Sequence, residues 1–203
     1  MNNTTMPPAA LESSATTAPT PTDPADPAMA IEPTPAAAIE PTPAAAIVPT
    51  PAAAIERLIK QNLTIATAES CTGGLLAKQL TDTPGASKAF AGGVVAYSNH
   101  AKTALLGIDA ALINKKGAVS KDVAIAMADG ARKKLGTDIG IGTTGIAGPE
   151  SDESGLAPGT VFIAFAADGI ETCSVLNLTG SRDEIRSKSV SVALELIIET
   201  MLI

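Results

Sequence analysis

The sequence contains no tryptophan, one tyrosine and three phenylalanines among 203 residues. It therefore lacks the aromatic platforms on which single-stranded bases stack. Basic side chains are scarce too: 14 Lys and Arg stand against 21 Asp and Glu, a formal net charge of −7. Without a basic stripe to neutralise phosphates, nucleic acid is excluded as an expected partner. Two cysteines, Cys71 and Cys173, are too few and too far apart for a zinc site or a disulfide framework, and a reduced, cytoplasmic setting is expected. No run reaches the roughly 18 apolar residues of a membrane span, and the N-terminus has neither the basic residues nor the unbroken apolar stretch of a secretory signal. The expectation is a soluble protein with no membrane partner.

What is present is unevenly distributed. Twelve of the fifteen prolines fall in the first 51 residues, and the first basic residue is Arg57. Residues 1–54 carry five acids and no Lys or Arg, leaving the following 149 residues close to neutral. From Ala30 the chain reads AIEPTPAA, AIEPTPAA, AIVPTPAA and then AIERLIK, a period of eight. A unit this short with two prolines cannot build a solenoid layer. Residues 1–54 are expected to be a disordered low-complexity tail, serving as a spacer, a docking segment for proline-recognising modules, or a linker without function. Residues 55–203 are long enough for one domain with a single core.

In that part the hydrophobic pattern predicts a short helix over 55–61, a buried strand over 64–68, a helix from Gly74 to Leu80, and a strand over 92–98. A helix through NHAKTALL stops at Gly107. SKDVAIAMADGARKKLG supplies the clearest helix, with Ser120 as N-cap, basic residues in its last turn and Gly136 as stop. DIGIGTTG, GTVFIAFAA and ETCSVLNL read as three more strands, the last two turning at Gly169, and a long helix from the N-cap Ser181 closes the chain. This order predicts a three-layer α/β/α sandwich with a mixed sheet of about five to six strands.

Ligands gather at the carboxyl ends of such strands, and three loops map there. AESCTGG offers Ser70 at a strand-to-helix turn, where backbone N–H groups converge on a developing oxyanion and Gly73 and Gly74 let the backbone approach a ligand. Ser70 or Thr72 could equally be a simple helix cap, and Cys71 reads as a small core residue without a basic partner nearby in sequence. YSNHAK offers Tyr97, His100 and Lys102. Serine needs a proton acceptor, and Lys102 can serve only if burial or the helix dipole lowers its pKa enough to leave it neutral. The plain alternatives are an exposed helix histidine and a solvated surface amine. GTTGIAGPE offers Thr143, Thr144 and Gly145 in a donor-rich loop that could hold a carbonyl oxygen or a phosphate, or be an ordinary turn.

Taken in order, ATAESCTGG, GGVVAYSNHAKTALLG, GAVSKDVAIAMADGAR, TTGIAGP, GTVFIA and GSRDEIR resemble the C-terminal domain family of the competence-damage-inducible protein CinA, over residues 55–203. That family includes stand-alone nicotinamide-nucleotide amidohydrolases. The resemblance implies a three-layer α/β/α fold and hydrolysis of the carboxamide of nicotinamide mononucleotide, as part of pyridine nucleotide recycling. It implies a serine–lysine mechanism with Ser70 as nucleophile, Lys102 and Tyr97 handling the proton, and Thr144 lining the site. No metal or cofactor is required by such a mechanism. Cys71, Thr72, Gly73, Gly74, Gly145 and Arg182 are the expected substrate contacts, with Arg182, Arg186 and the amides of Gly73 and Gly74 as phosphate ligands; the alternative for the two arginines is a place on the helix surface. The expected partner is a small-molecule nucleotide, and a homo-oligomer is one expectation for an Ala- and Ile-rich domain of this kind. Two features depart from the family pattern. ESDESGLAPG replaces a glycine-rich approach to the next strand and brings Glu150, Asp152 and Glu153 near a phosphate-bearing substrate. The proline-rich segment stands where full-length members carry a larger domain. The competing expectation is a non-catalytic nucleotide-binding or interaction protein of the same fold.

Overall fold

The computed structural model describes residues 49–151 and 155–200; the repeats up to residue 48 lie outside them. Helix α1 (Pro51–Gln61) begins four residues earlier than the pattern predicts. The reason lies in the last repeat unit: the Thr50 side chain accepts a hydrogen bond from the Ala53 N–H, and Pro51 takes a position where its missing N–H costs nothing. Ala54, Ile55 and Leu58 then face the core.

Strand β1 (Ile65–Glu69), helix α2 (Leu75–Thr81) and strand β2 (Phe90–Val95) form a crossover unit. β2 starts and ends earlier than expected, so Tyr97 sits in the loop beyond the strand rather than at its end. Helix α3 (Asn99–Leu106) is capped by the Ser98 side chain and ended by Gly107 in the left-handed region. Helix α4 (Ala110–Lys116) was not apparent in the sequence, although Asp109 caps it and Gly117 ends it. Helix α5 (Lys121–Leu135) runs from Ser120 to Gly136 as the pattern predicts. Strands β3 (Ile139–Gly145), β4 (Thr160–Ala167) and β5 (Ile170–Asn177) come next, and helix α6 (Arg182–Thr200) closes the described chain. At the start of α6, Ser181 and Glu184 exchange side-chain and backbone hydrogen bonds in a capping box.

The sheet has the order β2-β1-β3-β4-β5, with β1 parallel to both its neighbours and the β3-β4 and β4-β5 pairs antiparallel. This is the mixed α/β sandwich the sequence predicts. Helices α1, α2 and α6 cover one face over Ile65, Ile141 and Ile163; α3, α4 and α5 cover the other over Ala66 and Ala68. On that second face the helix comes very close. A Cβ built on Gly140 or Gly142 would fall 2.0 Å from the Ala128 carbonyl oxygen or 2.2 Å from that of Ala124, both in α5. The chain leaves β1 toward one face (α2) and β2 toward the other (α3). Adjacent strands whose connections diverge in this way open a crevice at their carboxyl ends.

Candidate active site

β1 pairs on both sides, and the ladder extends one residue beyond it, where the Ser70 N–H donates to the Thr143 carbonyl. Alternate residues of a strand face opposite ways. Glu69 therefore turns toward α2, and Ser70 toward the face that carries α3. Neither Ser70 nor Thr72 caps α2; no neighbouring side chain does, and Gly74 stands at the cap position with φ of 90°. The capping alternative for Ser70 falls away. The turn itself is tightly tied. Gly73 N–H donates to the Ser70 carbonyl, the Thr72 and Thr143 hydroxyls lie 2.7 Å apart, and Arg186 Nη2 donates to the Thr72 carbonyl at 2.8 Å.

Ser98 caps α3 and so places Lys102 on its inward side. Lys102 is only 2% exposed, and its Nζ lies 3.1 Å from Ser70 Oγ, donating to it. Burial lowers the Lys102 pKa, against a smaller opposing effect from Cys71. A buried lysine whose ammonium is disfavoured, in hydrogen-bond contact with a serine hydroxyl, is suited to take that hydroxyl's proton. Cys71 fares differently. Burial pushes its thiol up to about 11, outweighing the smaller lowering effect of the nearby backbone N–H groups, so it stays protonated at neutral pH.

The pair opens into a cleft of about 400 Å³. Ala118, Val119 and Ala147 give it an apolar wall, and Tyr97, Thr144, Gly145 and Arg182 complete it. Thr144 is buried, and its hydroxyl donates to the Ala118 carbonyl at 2.8 Å, which ties the loop before α5 to the end of β3. Tyr97 is 61% exposed, and its hydroxyl receives a hydrogen bond from Arg182 Nη2 at 3.0 Å; Arg182 Nη1 also donates to the Gly148 carbonyl. The structure thus gathers Ser70, Cys71, Tyr97, Lys102, Thr144, Gly145 and Arg182 around one cleft. It separates others from it. His100 is exposed and lines a different hollow with Thr103 and Asn114. Arg186 is spent on the Thr72 carbonyl, with Asp183 3.6 Å away. Glu150 is exposed, while Asp152 and Glu153 lie outside the described residues. Sequence reasoning gave no role to Glu69, Ser98, Ala118 or Val119. Ser98 was findable as an N-cap; the others are brought in only by tertiary packing. Among the described residues, no three His, Cys, Asp or Glu side chains are grouped so as to hold a metal ion.

The model of the CinA C-terminal domain matches residues 49–201. A CinA-like protein of Mycobacterium tuberculosis is 50% identical over 151 residues, 72% of this chain and 35% of that protein. A putative competence-damage inducible protein of Caldanaerobacter subterraneus is 46% identical over 143 residues, 70% of this chain and again 35% of the relative. The chain thus spans about a third of the length of the curated relatives it matches. Among solved structures, a CinA superfamily protein of Klebsiella pneumoniae superposes with a TM-score of 0.73 at 31% identity, covering 75% of this chain and 95% of that one. One from Escherichia coli gives 0.71 at 33%, covering 75% and 88%.

Proposed function

The chain belongs to the CinA C-terminal domain family, and on that premise we propose that it is a cytoplasmic amidohydrolase that converts nicotinamide mononucleotide to nicotinate mononucleotide and ammonia. The observation that carries the reading is the 3.1 Å contact between Ser70 Oγ and the buried Lys102 Nζ. In the neutral form Lys102 accepts the Ser70 proton as Oγ attacks the amide carbon. The N–H groups of Cys71 and Thr72 receive the oxyanion. Collapse of the tetrahedral intermediate breaks the C–N bond, and the proton on Lys102 passes to the departing nitrogen, which leaves as ammonia. The acyl ester on Ser70 is then hydrolysed by water. Its proton goes to Lys102 and from there back to Ser70 Oγ as the acid leaves.

The remaining groups bind. Ala118, Val119 and Ala147 pack against the pyridine ring, Thr144 and Gly145 flank it, and Arg182 meets the phosphate as a charge-assisted donor. Tyr97, bonded to Arg182 at the mouth, is the second proton-handling group of the set. Glu150 is exposed, so water and salt screen its repulsion of the phosphate.

Incubation of the purified protein with nicotinamide mononucleotide, with ammonia and the acid mononucleotide measured together, tests the reading. Equal amounts of the two products are expected. Binding of the nucleotide without release of ammonia would instead support the non-catalytic alternative.

A further inference from the structure

Amide hydrolysis by Ser70 and Lys102 leaves a buried carboxylate unused. Glu69 is 1% exposed at the end of β1, and no cation among the described ion pairs faces it. Its carboxylate is instead filled by the start of α2: Oε2 accepts the N–H groups of Gly74 at 2.9 Å and Leu76 at 3.1 Å, and Oε1 accepts that of Ala77 at 2.8 Å. A carboxylate supplied from the strand does what no neighbouring side chain does for this helix, and meets the positive end of its dipole.

The placement has a consequence for the next residue. Glu69 and Ser70 are consecutive and point to opposite faces of the sheet. The segment from Ser70 to Gly73 is thus held from both ends, by the sheet through the Ser70 N–H and by α2 through the Glu69 carboxylate. With the N–H groups of Gly74, Leu76 and Ala77 consumed by Glu69, the helix end offers nothing to a substrate anion, and the amides of Cys71 and Thr72 are the ones left beside Ser70. This revises the expectation that the Gly73–Gly74 amides hold the substrate phosphate: the Gly73 and Gly74 N–H groups donate to Ser70 and Glu69.

We propose that Glu69 is a positioning residue for amide hydrolysis: by clamping α2 to the end of β1 it sets the turn that aims Ser70 Oγ at Lys102 and the Cys71 and Thr72 amides at the oxyanion. The inference rests on the amidase reading in that it takes Ser70 as the nucleophile.

Glu69→Gln tests it. Both carboxylate oxygens accept hydrogen bonds, so an amide, which offers one acceptor and one NH2, must turn a donor against at least one helix N–H. The readout is the rate at which a fluorophosphonate modifies Ser70, followed by mass spectrometry and expressed per folded molecule, beside kcat and KM for ammonia release. Loss of about 10²-fold in both the modification rate and kcat is expected, with KM within about twofold. A lower melting temperature with the modification rate and its pH profile as in the wild type would reduce Glu69 to a stabilising cap and overturn the proposal. If the glutamine variant does not fold, Glu69→Asp keeps the charge and shortens the reach; it is expected to slow modification as well, and a wild-type rate would again overturn the idea. The wild-type protein separates the two readings. Modification of Ser70 without ammonia release would sink the substrate assignment and leave Glu69 testable, whereas an unreactive Ser70 would remove the nucleophile and this inference with it.

Discussion

On the face of the sheet covered by α1, α2 and α6, strands β1, β3 and β4 present Ile65, Ile139, Ile141, Val161, Ile163 and Phe165. On the face covered by α3, α4 and α5 the same strands present Ala66, Ala68, Gly140, Gly142, Ala164 and Ala166. The first face stabilises by area, each buried branched or aromatic side chain contributing about 1.5–3 kcal/mol. The second gives up area for proximity: bare backbone on β3 admits Ala124 and Ala128 of α5 almost to contact. The close approach falls on the side that carries the proposed active site. Ser70 points there, Lys102 enters from α3, and the loop before α5 is tied by Thr144 so that it walls the cleft. Position is held more tightly by backbone packed on backbone than by flexible side chains packed on each other, and a catalytic pair needs position.

Four substitutions would break or sharpen this contrast. Ser70→Ala, on the chemical face, is expected to lower kcat/KM for the nucleotide by about 10⁴-fold or more with the melting temperature nearly unchanged, since removing a nucleophile costs rate and only one oxygen atom of packing. Gly142→Ala, under α5, is expected to destabilise by about 3 kcal/mol in denaturant unfolding, because its Cβ would meet the Ala124 carbonyl and the Ala128 backbone nitrogen. Arg182→Ala at the mouth is expected to raise KM for the mononucleotide by about 10- to 100-fold, the worth of a charge-assisted hydrogen bond, and to leave KM for a substrate lacking the phosphate unchanged. Ile141→Val, on the broad face, is expected to cost about 1 kcal/mol and leave kcat alone. A glycine variant as mild as the isoleucine one would show that the two faces do not differ as described.

A pH dependence is expected from the lowered pKa of Lys102. The proposed mechanism requires the neutral amine, so kcat/KM is expected to rise with pH through the Lys102 pKa and to level off below the ordinary lysine value. The same shift works against folding. A group whose pKa is depressed on folding binds fewer protons than in the unfolded chain, so as pH falls through its folded value the native state loses stability. Lys102→Met is expected to abolish the pH-dependent rise and to ease this acid-side loss, read from melting temperatures over the same pH range.

Much of the fold is legible in the residues alone. α5 announces itself by Ser120, its apolar spacing and Gly136, and the mixed sheet is implied by the order of strands. Ser70 and Lys102 are individually visible, but their 3.1 Å contact spans 32 positions, and only the divergence of the β1 and β2 connections brings it about. The start of α1 is hidden because Thr50 and Pro51 belong to the repeat as well as to the cap: the same pair reads as low complexity beside its repeat neighbours and as a helix signal beside Ala54, Ile55 and Leu58. α4 escapes detection because seven residues show too few turns for a period to emerge. Arg182 and Tyr97 meet across 85 positions, and the Glu69 clamp uses spacings of five, seven and eight residues that no capping pattern contains. In each missed case the residue types were plain and the spatial partner was not.

The central claim is that Ser70, activated by Lys102, hydrolyses a carboxamide. The most direct measurement is ammonia release from nicotinamide mononucleotide by the wild-type protein and by Ser70→Ala, side by side, across a pH series. The expected result is turnover by the wild type that climbs toward alkaline pH, and none above background for the variant. Equal release by both proteins, or release by the wild type that does not vary with pH, would contradict it.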